Sequence, residues 1–168
     1  MQAKKHVLIA IGILVIIAML ALTLTQKPMA PKIVLTTLDG KQLALDSLRG
    51  KVVLVNFWAT SCPGCIKEMP LLADTYRKYQ TRGLEVVTVA MSYDPPEYVR
   101  NYARQRNLPF TVALDTSGEA AKAFSQVKLT PTTFVIDKQG RIIQQTLGEL
   151  DFAQLKTLLE QHLGGATS

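Results

Sequence analysis

The sequence predicts an α/β domain, with a central mixed sheet flanked by helices, that follows an N-terminal transmembrane anchor. Two observations predict the sheet. Strand-like and helix-like segments alternate from residue 33 onward, and residues 51–58 form the nearly continuous apolar run of a strand covered on both faces. The anchor is predicted by residues 7–24, which contain no charged side chain. At about 1.5 Å per residue this run spans roughly 27 Å, close to the ~30 Å of a hydrocarbon core.

The apolar N-terminal run is predicted to be a retained signal anchor and not a cleaved signal peptide. It is longer than the ~7–15 residues of a typical signal-peptide core, and residues 21–30 contain no convincing pair of small residues for cleavage. A buried core helix fits poorly, because the run has no polar face. We therefore expect an anchor within residues 1–25, a linker at 26–32 and a globular domain at 33–168.

Most of the formal net charge of +6 comes from the N-terminal end of the chain. Residues 1–32 contain no acidic side chain but include Lys4, Lys5, Lys27 and Lys32. The domain surface is therefore nearly balanced in charge, which argues against a nucleic-acid partner. Lys4 and Lys5 favour a cytoplasmic N-terminus, although Lys27 and Lys32 weaken that preference. We expect a single-pass protein of a bacterial inner membrane, with its domain on the periplasmic or another extracytoplasmic side.

The first half of the domain is predicted to contain three strands and a helix. Residues 33–38 and 42–45 are short strands around an Asp-Gly turn. Residues 51–58 then form the buried central strand. Residues 63–79 form a helix, because apolar side chains recur three or four positions apart. That stripe consists of Ile66, Met69, Leu72, Tyr76 and Tyr79.

The second half of the domain is predicted to alternate strands and helices and to end in a hairpin and a helix. The strands are expected at 85–91, 111–114, 132–136 and 141–146, the last two joined by a tight turn. The helices are expected at 94–107 and 118–124. Asp151 caps a last amphipathic helix. Its inner face carries Phe152, Leu155, Leu158 and Leu159.

The only two cysteines of the chain lie where the buried strand leads into the first helix, in the sequence Cys62-Pro-Gly-Cys65. Pro63 suits the first helical turn, where its missing N–H costs nothing, so Cys62 falls at the N-cap and Cys65 one turn in. The free amides of that turn and the helix dipole favour a thiolate at the N-cap. Because the thiolate is the attacking species in exchange, Cys62 is the predicted nucleophile and Cys65 the predicted resolving thiol.

Other roles for the cysteine pair fit less well. A structural zinc site needs about four ligands, and besides the cysteines the chain offers only His6 and His162. A purely structural disulfide is possible in an exported domain, but one that joins residues three apart restrains the unfolded chain little. Two unreactive core thiols fit poorly with Pro and Gly between them. The pattern therefore favours a redox-active disulfide.

These residues resemble the thioredoxin superfamily, and more narrowly its TlpA/ResA-like branch of membrane-anchored thiol–disulfide oxidoreductases. The matching pieces are residues 53–60, Cys62-Pro-Gly-Cys65, 67–70 and 129–136. The resemblance implies a thioredoxin-like fold without a cofactor or a metal site. It also implies a cis bond between Thr130 and Pro131 facing the two sulfurs, with the backbone of Thr130 pairing with an extended stretch of substrate. The substrate-binding residues that it implies are Trp58, Pro63, Gly64, Thr130 and Pro131.

The resemblance also implies that Glu68 is catalytic and relays protons to and from Cys65, whose helix face it shares. The alternative is a solvated helix glutamate, the commoner fate of this residue type. Thioredoxins usually carry a buried Asp where this chain has Asn56, and an amide cannot take a proton. Any relay must therefore use Glu68 or water. Relatives commonly have Trp directly before the first cysteine, where this chain has Ser61, so the choice of partner is expected to differ.

The function that follows from the resemblance is the reduction of disulfides in extracytoplasmic partner proteins, for example during cytochrome c maturation or oxidase assembly. A membrane thiol donor of the DsbD/CcdA type would supply the electrons. The uncharged Pro-Gly dipeptide weakly favours a reductant, and a disulfide oxidase or isomerase is the first alternative. Copper delivery is a further alternative, although no His lies between residues 7 and 161. A thiol peroxidase is another, but no matching activating arginine is evident.

Overall fold

The central strand organises the domain through its alternating side chains. The computed structural model describes residues 27–164, together with Ile13, Leu14, Ile16 and Met19. Every residue of β3 (Val52–Trp58) is buried, because both faces of this apolar strand are covered. Val52, Leu54 and Trp58 belong to one core cluster, and the alternate residues Val53, Val55 and Phe57 to a second cluster. The period of two along the strand thus divides the core into two layers.

The other strands extend the sheet on both sides of β3. They are β1 (Val34–Thr37), β2 (Gln42–Ala44), β4 (Leu84–Ala90), β5 (Thr111–Leu114), β6 (Thr132–Ile136) and β7 (Ile142–Leu147). Their spatial order is β2-β1-β5-β4-β3-β6-β7. Strands β3, β4 and β5 are parallel, whereas β1 and β2 and likewise β6 and β7 form antiparallel hairpins. The predicted mixed sheet is confirmed, with strand ends within about two residues of the expected positions.

Helices cover both faces of the sheet. They are α1 (Pro63–Tyr79), α2 (Pro96–Gln105), α3 (Glu119–Ala123) and α4 (Phe152–Leu163), with short 3-10 turns at Leu45–Leu48 and Gln80–Arg82. Buried residues of α1, α2 and α4 belong to the first core cluster, and those of α3 to the second. Asp151 caps α4 by accepting hydrogen bonds from the amides of Ala153 and Gln154 at 2.9 and 3.1 Å. Both the bounds of α1 and this cap agree with the sequence prediction.

Helix α2 begins later than the sequence predicts. Its N-cap is Pro95, whose side chain makes no capping hydrogen bond. Asp94, the expected first residue, is buried and accepts hydrogen bonds from Thr60 instead. The Asp94 carboxylate therefore does not cap α2 and instead accepts hydrogen bonds from the loop before the cysteines.

The segment predicted as a linker is partly attached to the sheet. The amide of Ala30 donates to the carbonyl of Gly140 at 2.9 Å, and the amide of Ile142 donates to the carbonyl of Pro28 at 2.8 Å. The anchor predicted within residues 1–25 lies outside the described residues, apart from four helical positions. Among the residues that the structure describes, no helix is both long enough and apolar enough to span a bilayer.

Candidate active site

The cysteine pair lies at the junction of β3 and α1, as predicted. After Trp58 the chain makes a turn in which the amide of Cys62 donates to the carbonyl of Ala59 at 3.1 Å. Cys62 is the N-cap of α1, and its Sγ accepts a hydrogen bond from the amide of Cys65 at 3.2 Å. The first turn of the helix thus supplies one of its free amides to the N-cap sulfur.

The two sulfurs form a disulfide bond and differ in accessibility. The Cα atoms of Cys62 and Cys65 are 5.3 Å apart, a normal separation for a bridged pair. Cys65 is fully buried, whereas Cys62 is partly exposed. A partner molecule therefore reaches the sulfur of Cys62 first.

The loop that carries Thr130 and Pro131 packs against the cysteine motif. The bond between these two residues is cis, as the resemblance implies. A Cβ added to Gly64 would lie 3.7 Å from Cδ of Pro131, so the proline ring packs against the motif at Gly64. Thr130, which precedes Pro131, is partly exposed.

Glu68 is buried beneath the motif and is not a solvated surface residue. Its side chain is only 2% exposed. One carboxylate oxygen accepts from Nδ2 of Asn56 at 2.8 Å, and the other accepts from the amide of Leu150 at 3.2 Å. Burial raises the pKa of Glu68, and these two hydrogen bonds only partly oppose that rise. The solvated alternative is therefore wrong, and Glu68 is a buried carboxyl group on the same helix face as Cys65.

Asn56 orients the Glu68 carboxyl group. Its Nδ2 donates both to Glu68 and to Oγ1 of Thr133 at 2.9 Å. Its Oδ1 is buried and has no partner among the described residues. The amide thus contributes donors to this site and no titratable group, which agrees with the expectation that Asn56 cannot relay protons.

Two of the predicted substrate contacts are buried. Trp58 is fully buried, with its ring 5.4 Å from that of Tyr102, because β3 directs the side chain into the core. Trp58 thus packs in the core behind the site, and a contact between Trp58 and substrate stays a prediction. Pro131 is also buried. Pro63 is exposed and Gly64 partly exposed at the surface of the motif.

Three contacts around the motif were missed by the sequence reasoning, because they join residues far apart in the chain. Asp94 accepts from the amide and the hydroxyl group of Thr60, both at 2.6 Å. The hydroxyl groups of Tyr93 and Thr130 lie 3.3 Å apart. Lys67 and Glu149 form an exposed ion pair at 2.7 Å. Only Asp94 gave a local signal, its position before two prolines, and that signal pointed to a helix start.

We expect Asp94→Ala to destabilise the domain and to slow disulfide exchange. The change leaves the two partly buried donors of Thr60 without their acceptor, a loss of about 1 kcal/mol or more in the free energy of unfolding. It also frees the loop that positions Cys62. Urea unfolding of the full-length protein in detergent measures the loss. Asp74→Ala is the matched control, because Asp74 is an exposed carboxylate paired with Arg77 on α1, and we expect a change within about 0.5 kcal/mol. Equal losses in both variants would contradict this role for Asp94.

A buried strand that leads into a helix capped by a partly exposed cysteine, with a cis-proline loop packed against Gly64 of the motif, defines a thiol–disulfide oxidoreductase of the thioredoxin superfamily. The profile of the redoxin family matches residues 25–159, and the chain belongs to that family. It is of the TlpA/ResA-like type, since curated relatives of this chain are thiol-disulfide oxidoreductases named ResA.

The similarity to these relatives extends over most of the domain. ResA of Bacillus thuringiensis subsp. konkukian (strain 97-27) is 42% identical over 135 residues, which cover 80% of this chain and 74% of the relative. ResA of Bacillus subtilis (strain 168) is 31% identical over an alignment covering 100% of this chain and 99% of the relative. A solved thiol:disulfide interchange protein of the thioredoxin family from Chlorobium tepidum TLS superposes with a TM-score of 0.75 at 30% identity, covering 83% of this chain and 99% of that structure. The thioredoxin-like fold is thereby confirmed.

Proposed function

We propose that this chain is a membrane-anchored reductase of disulfides in extracytoplasmic partner proteins, in which Cys62 attacks and Cys65 resolves. The observation that carries the proposal is the asymmetry of the two sulfurs. Cys62 is partly exposed at the start of α1, whereas Cys65 is fully buried. Only Cys62 can meet a partner sulfur, and only Cys65 is positioned to displace the partner afterwards.

The reaction transfers two electrons and two protons to the partner. The Cys62 thiolate of the reduced protein attacks one sulfur of the partner disulfide, and the other partner sulfur leaves as a thiolate that takes up a proton. Cys65 then loses its proton and attacks Cys62, which forms the Cys62–Cys65 disulfide and releases the first partner sulfur as a thiol. A membrane thiol donor of the DsbD/CcdA type restores the dithiol and is itself oxidised to a disulfide.

Glu68 is proposed to accept the proton of Cys65 in the second step. It lies three residues after Cys65, on the same buried face of α1. A buried carboxyl group whose pKa is raised is a stronger base than an exposed one, so it can take a proton from a thiol near neutral pH. Thr130 is proposed to hold the partner during both steps by pairing its backbone with an extended segment.

The membrane anchor and the location remain part of the proposal. Residues 7–24 are uncharged and long enough to cross a bilayer. The described positions in this run, Ile13, Leu14, Ile16 and Met19, are helical and each more than half exposed. Apolar side chains without protein cover suit a lipid environment. We propose cytochrome c maturation or oxidase assembly as the process served.

The reducing direction predicts a reduction potential closer to that of thioredoxin, about −270 mV, than to that of DsbA, about −120 mV. The Pro-Gly dipeptide carries no charge to stabilise the Cys62 thiolate, so the reduced form gains little stability. Trp58, the only tryptophan, lies in the same core cluster as Cys65, so we expect its fluorescence to change with the redox state during titration of the full-length protein in detergent.

The control for this titration is the double variant Cys62→Ser, Cys65→Ser, which should show no redox-dependent fluorescence change. A potential near the DsbA value would contradict the reductase proposal and favour a disulfide oxidase.

A further inference from the structure

The turn between β4 and α2 connects the two loops of the redox site. The amide of Met91 donates to the carbonyl of Trp58 at 3.0 Å, which continues the pairing of β4 with β3. The amide of Asp94 donates back to the carbonyl of Met91 at 2.9 Å and closes the turn. The Asp94 carboxylate then accepts two hydrogen bonds from Thr60, two residues before Cys62. The tip of the turn is thus fixed to the cysteine loop.

Tyr93, at the tip of this turn, reaches the second loop of the site. Its hydroxyl group is 3.3 Å from Oγ1 of Thr130, yet its side chain is 58% exposed. Leu129, which precedes Thr130, is 63% exposed. A large aromatic ring and a leucine therefore present uncovered apolar surface next to the residue proposed to bind the substrate backbone.

The surface beside Gly64 is charged. A Cβ on Gly64 would lie 3.4 Å from Cγ of Glu149, and Glu149 forms an ion pair with Lys67 at 2.7 Å. A segment bound across the site would therefore have an apolar neighbour on the Tyr93 side and an ion pair on the Gly64 side. Such an asymmetric site can distinguish partner segments by the residue beside their cysteine.

We infer that Tyr93 is a specificity-determining residue, which with Leu129 selects extended partner segments that carry an apolar side chain beside the disulfide cysteine. The inference rests on the proposed reductase function and names its substrate class. Tyr93 is suited to this task because its hydroxyl group is held by Thr130, so the ring is in position before the partner arrives and little side-chain entropy is lost. A carboxylate in the same place would lose water against the ring without gaining a partner.

The experiment uses the full-length, pre-reduced protein in detergent and two disulfide-bonded peptides that differ only in Leu or Asp beside the attacked cysteine. Single-turnover oxidation is followed by Trp58 fluorescence, and cystamine serves as a small disulfide without side chains. We expect wild-type protein to oxidise faster with the Leu peptide. Tyr93→Ala should reduce this preference by about three- to tenfold, the range expected for losing one aromatic contact, when each peptide rate is divided by the rate of the same protein with cystamine. Tyr93→Phe should retain most of the preference.

Tyr98→Ala is the matched control, because Tyr98 is 59% exposed on α2, and it should leave the preference unchanged. A wild-type protein without preference, a Tyr93→Ala variant with the wild-type preference, or an equal effect of Tyr98→Ala would each overturn the inference about Tyr93. In these cases normal oxidation by cystamine would leave the exchange chemistry standing. A wild-type protein that exchanges with none of the three disulfides would overturn the reductase proposal, and the inference with it.

Discussion

Replacing Cys62 by serine should lower the rate of disulfide exchange by about a thousandfold or more, because the attacking nucleophile is lost. Cys65→Ser should behave differently, since Cys62 remains free to attack. The reaction then stops at the mixed disulfide, because no second thiol is present to displace the partner. Both variants replace a sulfur by an oxygen, at residues one helical turn apart. Any difference in their reactions therefore arises from the position of the sulfur that is lost.

The measurement for this pair is mass spectrometry of the full-length variants after reaction with a disulfide-bonded peptide. Cys65→Ser should gain the mass of one peptide chain, bonded to Cys62, and Cys62→Ser should gain almost none. Ser61→Ala is a suitable control, because Ser61 is exposed next to Cys62 and has no sulfur to lose. Comparable adducts on both cysteine variants would contradict the assignment of roles.

Glu68→Gln should slow the resolving step by about a hundredfold or more, the usual contribution of a general base. In the wild type, the rate of this step should increase with pH as Glu68 loses its proton. Because burial raises the pKa of Glu68, this increase should lie above the ordinary carboxyl pKa of about 4.3. The variant should lack the increase, since glutamine does not titrate. Resolution of a preformed mixed disulfide, followed from pH 4 to 9, measures both effects.

Glu68→Gln should also change how the free energy of unfolding depends on pH. A carboxyl group whose pKa is raised on folding favours the folded state while protonated, and that contribution is lost as pH rises through the folded pKa. Wild-type protein should therefore lose stability relative to Glu68→Gln as pH rises from about 4 to neutrality, in urea unfolding at each pH.

Glu149→Gln is a useful companion variant. The charge of Glu149 is one cause of the raised pKa of Glu68, so its removal should move the wild-type rate increase to lower pH. A resolving rate that is the same in Glu68→Gln and wild type at all pH values would contradict the relay.

The sequence predicts the redox motif well because its signals are local. Pro63 marks the first turn of α1, the apolar spacing marks its length, and the cysteine positions follow from those two facts. The strand β3 is equally clear, because its nearly continuous apolar run has the length and composition of a strand covered on both faces. The cis bond before Pro131 could be predicted only from the resemblance, since most bonds before proline are trans.

The environment of Glu68 could not be predicted from its neighbours in the chain. The amide of Leu150, 82 residues away along the chain, donates a hydrogen bond to one carboxylate oxygen, and Asn56 donates to the other. Helix spacing places Glu68 on the face of Cys65, but its burial depends on residues that are distant in the chain. That burial distinguishes Glu68 from an ordinary surface glutamate, and it is what the proposed proton relay requires.

Trp58 and Tyr93 also show that proximity to the cysteines in sequence does not predict exposure at the site. Trp58 is adjacent to the motif in sequence, yet strand alternation turns it into the core. Tyr93 is 31 residues after Cys62 and has no motif of its own, yet the parallel pairing of β3 with β4 places the turn that follows β4 beside the cysteine loop. Distance along the chain therefore does not indicate which of these two residues is exposed beside the site.

The central claim, that Cys62 is the accessible nucleophile and Cys65 the protected resolving thiol, is tested most directly by alkylating the reduced full-length protein with iodoacetamide. Quenching at intervals and mapping the modified peptides by mass spectrometry gives a rate for each cysteine in the same molecule. We expect Cys62 to be modified at least about tenfold faster than Cys65 at neutral pH, because it is partly exposed at the helix N-terminus whereas Cys65 is fully buried. Equal rates, or faster modification of Cys65, would contradict it.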